Sequence, residues 1–178
     1  MIGVLVSGEG TNLQALIDSG LPIACVASNK PGVRALQRAR DAGVDAGVFA
    51  AADYASREER DAGLAEWLTA QDVDLVVLAG YMQILTAPFL ERFRDRIVNV
   101  HPSLLPQFPG AHAIDDALAA GVETTGVTVH FVDEGLDTGA VIRQEPVPIE
   151  PRTTLLDRIH SVEHRILPEV VRELCAAR

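Results

Sequence analysis

Four short runs rich in Val, Ile and Leu recur through the first hundred residues: Ile2–Val6, Ile23–Ala27, Leu75–Ala79 and Ile97–Val100. A strand with apolar residues throughout, rather than at every second position, must be covered on both faces. That is the situation of a parallel strand in a sheet with helices on each side. Gly47–Ala50 is a less apolar candidate for a further strand. Helical periodicity fills the gaps. Leu13, Leu16 and Ile17 stand at i, i+3, i+4, as do Leu64, Trp67 and Leu68. Ser56 and Glu59 have the spacing of a capping box ahead of the second of these helices, and Pro88 suits the first turn of another.

The texture changes near residue 102. Pro102 to Gly110 contains three prolines and a glycine, which excludes regular helix and central strand. A short helix is expected at Ala113–Ala120. Alternation at Val127, Val129 and Phe131 and an extended run from Val141 to Ile149 then predict two strands with no helix between them. Such a pair pairs antiparallel and belongs at a sheet edge. A last helix from about Thr154 is expected to be kinked or interrupted at Pro168. With no repeat, linker or low-complexity tract, the reading is a single α/β domain over 1–178, a doubly wound, mostly parallel sheet with an antiparallel excursion near the C-terminus. Residues 1–100 form its mononucleotide-type half, and 101–178 its second half.

Composition excludes several partners. The chain has 178 residues, 48% of them hydrophobic, enough for a sizeable core. Fifteen Lys and Arg against twenty-five Asp and Glu leave a net charge of −10. Nucleic-acid binding draws on phosphate neutralisation by the opposite sign, so nucleic acid and anionic membrane are not expected partners. No apolar run approaches the roughly 18 residues of a transmembrane helix, and the N-terminus lacks a signal peptide's basic region. A reduced, cytoplasmic protein is expected. Cys25 reads as a buried core thiol and Cys175 as an incidental one.

Three constellations suit chemistry. Ser7-Gly8-Glu9-Gly10-Thr11-Asn12 lies between the first strand and the first helix, where exposed backbone N–H groups and the helix dipole favour a phosphate. It is not a dinucleotide fingerprint, because the third glycine would fall at Leu13 and no acidic residue ends the second strand. Asn99-Val100-His101-Pro102 closes a buried strand. Residues 99 and 101 share a face, and an amide donor beside an imidazole suits a developing oxyanion. Asp133-Glu134-Gly135-Leu136-Asp137-Thr138-Gly139 is an acidic loop between the late strands. If Asp137 meets His101, it orients the ring and favours imidazolium. His160 and His164 are i, i+4 on the last helix but have no third ligand at metal-site spacing, and no metal is expected. His130 is expected on the face of its strand opposite Val129 and Phe131, and His112 could touch substrate or solvent.

In this order, SGEGTNLQALI, AGYMQIL, NVHPSLLP and the loop with GLDTG resemble the folate-dependent glycinamide ribonucleotide transformylases (phosphoribosylglycinamide formyltransferases) of purine biosynthesis. The resemblance runs from Val6-Ser7-Gly8 to the Glu163-His164 pair. It implies formyl transfer from 10-formyltetrahydrofolate to the amine of 5′-phosphoribosylglycinamide, with small-molecule substrates, no metal, and a monomer or homodimer. It also implies that Gly10, Thr11 and Asn12 hold the substrate phosphate and that Glu163 approaches the nucleotide. Tyr81, Met82, Gln83, Ile84 and Leu85 would surround the pterin, with Arg57 nearby. Asn99, His101 and Asp137 would carry the chemistry, Asn99 also touching the folate, and the Val132, Asp133, Glu134, Gly135, Leu136 stretch would close on it. Many family members have Arg where Gln83 stands, and some have Lys in place of His160.

The nearest alternative is 10-formyltetrahydrofolate hydrolase, which shares the NVHPSLLP-type core and often reads YMQIL. An N-terminal regulatory domain is expected there, whereas the first strand here begins at residue 2. A methionyl-tRNA formyltransferase would need a C-terminal tRNA-binding part and a basic face. A non-catalytic binding module would not require Asn99, His101 and Asp137 together.

Overall fold

β1 (Ile2–Val6) pairs in parallel with β2 (Ile23–Ser28) on one side and β4 (Leu75–Leu78) on the other in the computed structural model, which describes residues 1–177. β2 also pairs in parallel with β3 (Asp45–Val48). All residues of β1 and β4 are buried, as strands apolar at every position require. With β5 (Ile97–His101), β6 (Thr124–Phe131) and β7 (Val141–Pro148), the strand order is β3-β2-β1-β4-β5-β6-β7. β6 and β7 pair antiparallel. The chain divides into two compact units, Met1–Val98 and the residues from Asn99 onward.

In the first unit, four helices accompany the strands: α1 (Thr11–Asp18), α2 (Arg34–Asp41), α3 (Arg57–Ala70) and α4 (Ala87–Arg92). Leu13 and Leu16 of α1 and Leu64 and Leu68 of α3 are buried, each burial worth about 1.5–3 kcal/mol. Ser56 caps α3 by accepting from the Glu59 N–H at 3.1 Å. The Glu59 carboxylate returns to the Ala55 N–H at 3.0 Å, one residue before the cap, so the capping box is offset by one. The candidate strand at Gly47–Ala50 forms two residues earlier, as β3. Burial pushes the Cys25 thiol up to about 12, with Asp45 adding to it, so the thiol is inert at neutral pH.

In the second unit, α5 (Ala113–Ala120) occupies the expected residues, and α6 (Leu155–Ala176) packs on β6 and β7. Contrary to the expected interruption, α6 continues as helix through Pro168. A proline inside a helix costs about 3 kcal/mol. Ile166, Leu167, Val170 and Val171 are fully buried on either side of it, and their burial offsets that cost. No helix among the described residues is long and apolar enough to cross a membrane.

Candidate active site

The predicted residues fall into two clusters, one in each unit. In the first unit, Gly10 is the N-cap of α1 at φ 74°, and no side chain caps this helix. An N-terminal turn without a capping side chain is what a phosphate-binding turn requires, because the capping oxygen and the phosphate would compete for the same N–H groups. The loop before it is pinned from α2. The Ala35 N–H donates to Gly8 O at 3.1 Å, and Arg38 Nε donates to Glu9 O at 2.8 Å. Ser7 Oγ donates to Asn29 Oδ1 at 2.6 Å and accepts from the Met82 N–H at 2.8 Å, tying the loop to the segment after β4.

Gly10 sits against α2. A Cβ on it would lie 2.6 Å from Ala35 Cβ and 2.8 Å from Ala35 Cα, which is backbone and has little freedom to retreat. Gly10→Ala is expected to cost about 1–3 kcal/mol, from the left-handed φ and overpacking together. It should also raise the KM for a phosphorylated substrate. Thermal unfolding checks the first part, and an unchanged Tm would rule out the close approach.

The 81–85 segment has two faces. Tyr81 and Leu85 are buried, whereas Met82 and Ile84 are 61% and 65% exposed, an unusual outlay of apolar surface unless a ligand covers it. Burial pushes the Tyr81 hydroxyl up to about 12. α3 grips the same segment. Arg57 Nη2 donates to Ile84 O at 2.9 Å, and Arg60 Nη1 donates to Gln83 Oε1 at 3.0 Å. Asp61, fully buried, accepts from the Thr86 N–H at 2.8 Å and the Thr86 hydroxyl at 2.9 Å. Arg57 thus supports this segment through a backbone carbonyl. The Arg60–Asp61 pair has no motif spacing that would mark it in the sequence.

In the second unit, Asn99, His101 and Asp137 come together with a fourth residue, His130. His101 is 5% exposed, with Nδ1 3.5 Å from Asp137 Oδ2 and Nε2 2.8 Å from Phe108 O. A carbonyl only accepts, so Nε2 carries a proton, and a proton on Nδ1 would face the Asp137 carboxylate. Asp137 Oδ2 also accepts from the Gly110 N–H at 2.7 Å. The Pro-rich stretch therefore serves the site, supplying the backbone groups that hold the imidazole and the carboxylate. Asp137 adopts φ 55°, a left-handed conformation that Asp tolerates better than most residues.

His130 joins this cluster, which the alternation of its strand does not reveal. Its Nε2 is 3.2 Å from Asn99 Nδ2 and 3.7 Å from Asp137 Oδ1, and its Nδ1 is 2.8 Å from Phe131 O. Parity assigns a residue to a face of the sheet but is blind to what a neighbouring strand puts there. Val132 to Leu136 form a turn in which Asp133 Oδ1 accepts from the Gly135 N–H at 3.0 Å and the Thr138 hydroxyl at 2.7 Å, and Leu136 is exposed. Glu163 is buried on α6. His160 and His164 stack at 5.9 Å, and burial lowers the His164 pKa, with His160 adding to the effect.

The histidine–carboxylate–amide cluster gathers at the end of β5, where ligands of open α/β sheets bind. Residues 1–171 match the model of the formyl transferase family, and the chain belongs to that family. It is 42% identical to phosphoribosylglycinamide formyltransferase of Haemophilus influenzae over 96% of its own length and 85% of that protein. It is 50% identical to the trifunctional purine biosynthetic protein adenosine-3 of Drosophila melanogaster over 97% of its own length, yet spans only 14% of that protein. Glycinamide ribonucleotide transformylase 1 of Symbiobacterium toebii superposes with a TM-score of 0.95 at 48% identity, covering 99% of this chain and 88% of that one.

Proposed function

We propose that this protein transfers a formyl group from 10-formyltetrahydrofolate to the amine of 5′-phosphoribosylglycinamide. The observation that carries the reading is the convergence of Asn99, His101 and Asp137 in the second unit, around a buried imidazole bonded at Nε2 to Phe108 O with Asp137 3.5 Å from Nδ1. The reaction joins the amine nitrogen to the formyl carbon and frees that carbon from the folate nitrogen, while one proton passes from amine to folate. Charge builds on the formyl oxygen in between. Asn99 has a second amide N–H beyond the one directed at His130, and that donor suits the oxygen. His101 supplies a second donor at Nδ1, which lies 3.5 Å from Asp137 Oδ2 without a direct hydrogen bond to it, and Asp137 orients the ring. Asp137 can pass the amine proton on through a water.

The first unit supplies recognition. Gly10, Thr11 and Asn12 hold the substrate phosphate at the start of α1, and Glu163 of the second unit serves the nucleotide. The outward apolar pair Met82 and Ile84 fits an aromatic pterin, and the Gln83–Leu85 backbone can read its ring edges. The Val132–Leu136 turn completes the folate's surroundings. The substrates are small molecules, the compartment is the cytoplasm, and the active form is a monomer or homodimer.

The test is spectrophotometric. Purified protein mixed with a 10-formylfolate donor should release deformylated folate only when the ribonucleotide is added. Release without it would reassign the chain to folate hydrolysis. No release in either case would remove the activity.

A further inference from the structure

His130 belongs to none of the motifs that define the site, and it is 1% exposed beside Asn99. Its Nδ1 lies 2.8 Å from Phe131 O. Since a carbonyl oxygen cannot donate, the proton of a neutral His130 is on Nδ1, and Nε2 presents a lone pair. That lone pair can accept from the Asn99 side chain only through the amide nitrogen. A flipped amide would put two acceptors 3.2 Å apart with no proton between them.

We infer that His130 is a positioning residue for formyl transfer: its Nε2 lone pair fixes the Asn99 amide nitrogen-inward, holding a donor where charge develops on the formyl oxygen. The inference rests on the reading of Asn99 as that donor. The groups around the ring agree with it. Burial lowers the His130 pKa below its ordinary 6.5, and nearby His101 acts in the same direction. Asp137, Asp133 and the Phe131 carbonyl oppose it without overcoming burial. Asp137 Oδ1 is 3.7 Å from Nε2, too far to take a direct hydrogen bond from it, so the amide of Asn99 is the partner. A protonated ring would reverse the requirement, directing an N–H at Asn99 and calling for its oxygen.

A mutant cycle with an independent spectroscopic readout tests this in the 178-residue chain. Asn99→Ala should lower kcat by about 10²–10³-fold. His130→Phe, which keeps the ring and removes the acceptor, should lower kcat roughly tenfold, in the range of outer-shell partners, with the ribonucleotide KM little changed. His130→Gln, whose side-chain oxygen can accept, should recover part of that loss. On the Asn99→Ala background, His130→Phe should add less than about twofold, because a residue acting through Asn99 has nothing left to position. Heteronuclear NMR of the ring nitrogens should show Nδ1 protonated and Nε2 bare at neutral pH.

Wild-type kcat in folded His130→Phe, full additivity in the double variant, or an Nε2–H ring would each overturn the inference while leaving the reading of Asn99 standing. Wild-type activity in Asn99→Ala would overturn both. A His130→Phe protein that does not fold leaves the Gln variant and the ring-nitrogen spectrum to decide.

Discussion

His101→Ala is expected to lower kcat by about 10²–10³-fold while the ribonucleotide KM changes little, the pattern of a group that acts mainly in the transition state. The ring is 5% exposed and bonded at Nε2 to Phe108 O, with Asp137 Oδ2 3.5 Å from Nδ1. It is thus held in one orientation before substrate arrives, so little reorganisation is left for the reaction itself. Asp137 keeps its bond from the Gly110 N–H in the variant, and the Gly10–Asn12 turn proposed to hold the phosphate belongs to the other unit. Binding at the phosphate end should therefore persist. Steady-state kinetics with each substrate varied in turn would check this, with circular dichroism establishing that the variant folds. Turnover near wild type would remove His101 from the mechanism without touching the fold.

The legible parts of this molecule are those where one physical requirement acts alone. β1, β2, β4 and β5 lie inside the sheet with helices on both faces, and that burial selects Val, Ile and Leu without interruption. Asn99 and His101 share a face by parity alone, and His101 then meets Asp137. β3 is harder to place because its end residues, Asp45 and Val48, are exposed and its sequence carries little apolar signal. α2 gives no clear periodicity, since its buried face is Ala35, Leu36 and Ala39, only one of them large. Pro168 misleads because helix-breaking is a local cost, whereas the burial that outweighs it comes from tertiary packing. His130 and the Arg60–Asp61 pair are obscure for a related reason. Each owes its role to a neighbour on another element, Asn99 on β5 for the first and the Gln83–Thr86 segment for the second. Periodicity within one element carries no trace of that.

Asp61→Ala should be the most destabilising single change, at about 3–5 kcal/mol, the usual cost of removing one partner of a buried ion pair. Asp61 is fully buried and Arg60 is 1% exposed. Asp61 Oδ1 accepts from Arg60 Nε at 2.9 Å and Nη2 at 2.7 Å, while Oδ2 accepts from the Thr86 N–H and hydroxyl. Truncation would strand a guanidinium and a backbone N–H together. For a chain of this size the loss corresponds to a fall in Tm of roughly 6–20 °C, readable by calorimetry. A Tm within about 2 °C of wild type would show that water reaches the pair and replaces the carboxylate. The double change Arg60→Met with Asp61→Leu separates stability from positioning. Apolar replacement of both charges commonly restores stability, since neither charge is then left unpaired. The double variant should therefore melt well above Asp61→Ala, its remaining deficit that of the Thr86 N–H left without its acceptor, about 1–3 kcal/mol. It would nevertheless lack the bonds that Arg60 and Asp61 make to Gln83 and Thr86, so its folate KM should rise while its ribonucleotide KM stays put. A stable variant with weakened folate binding would mean that the buried pair is kept to hold the Met82–Ile84 surface in place, and that its contribution to stability is incidental.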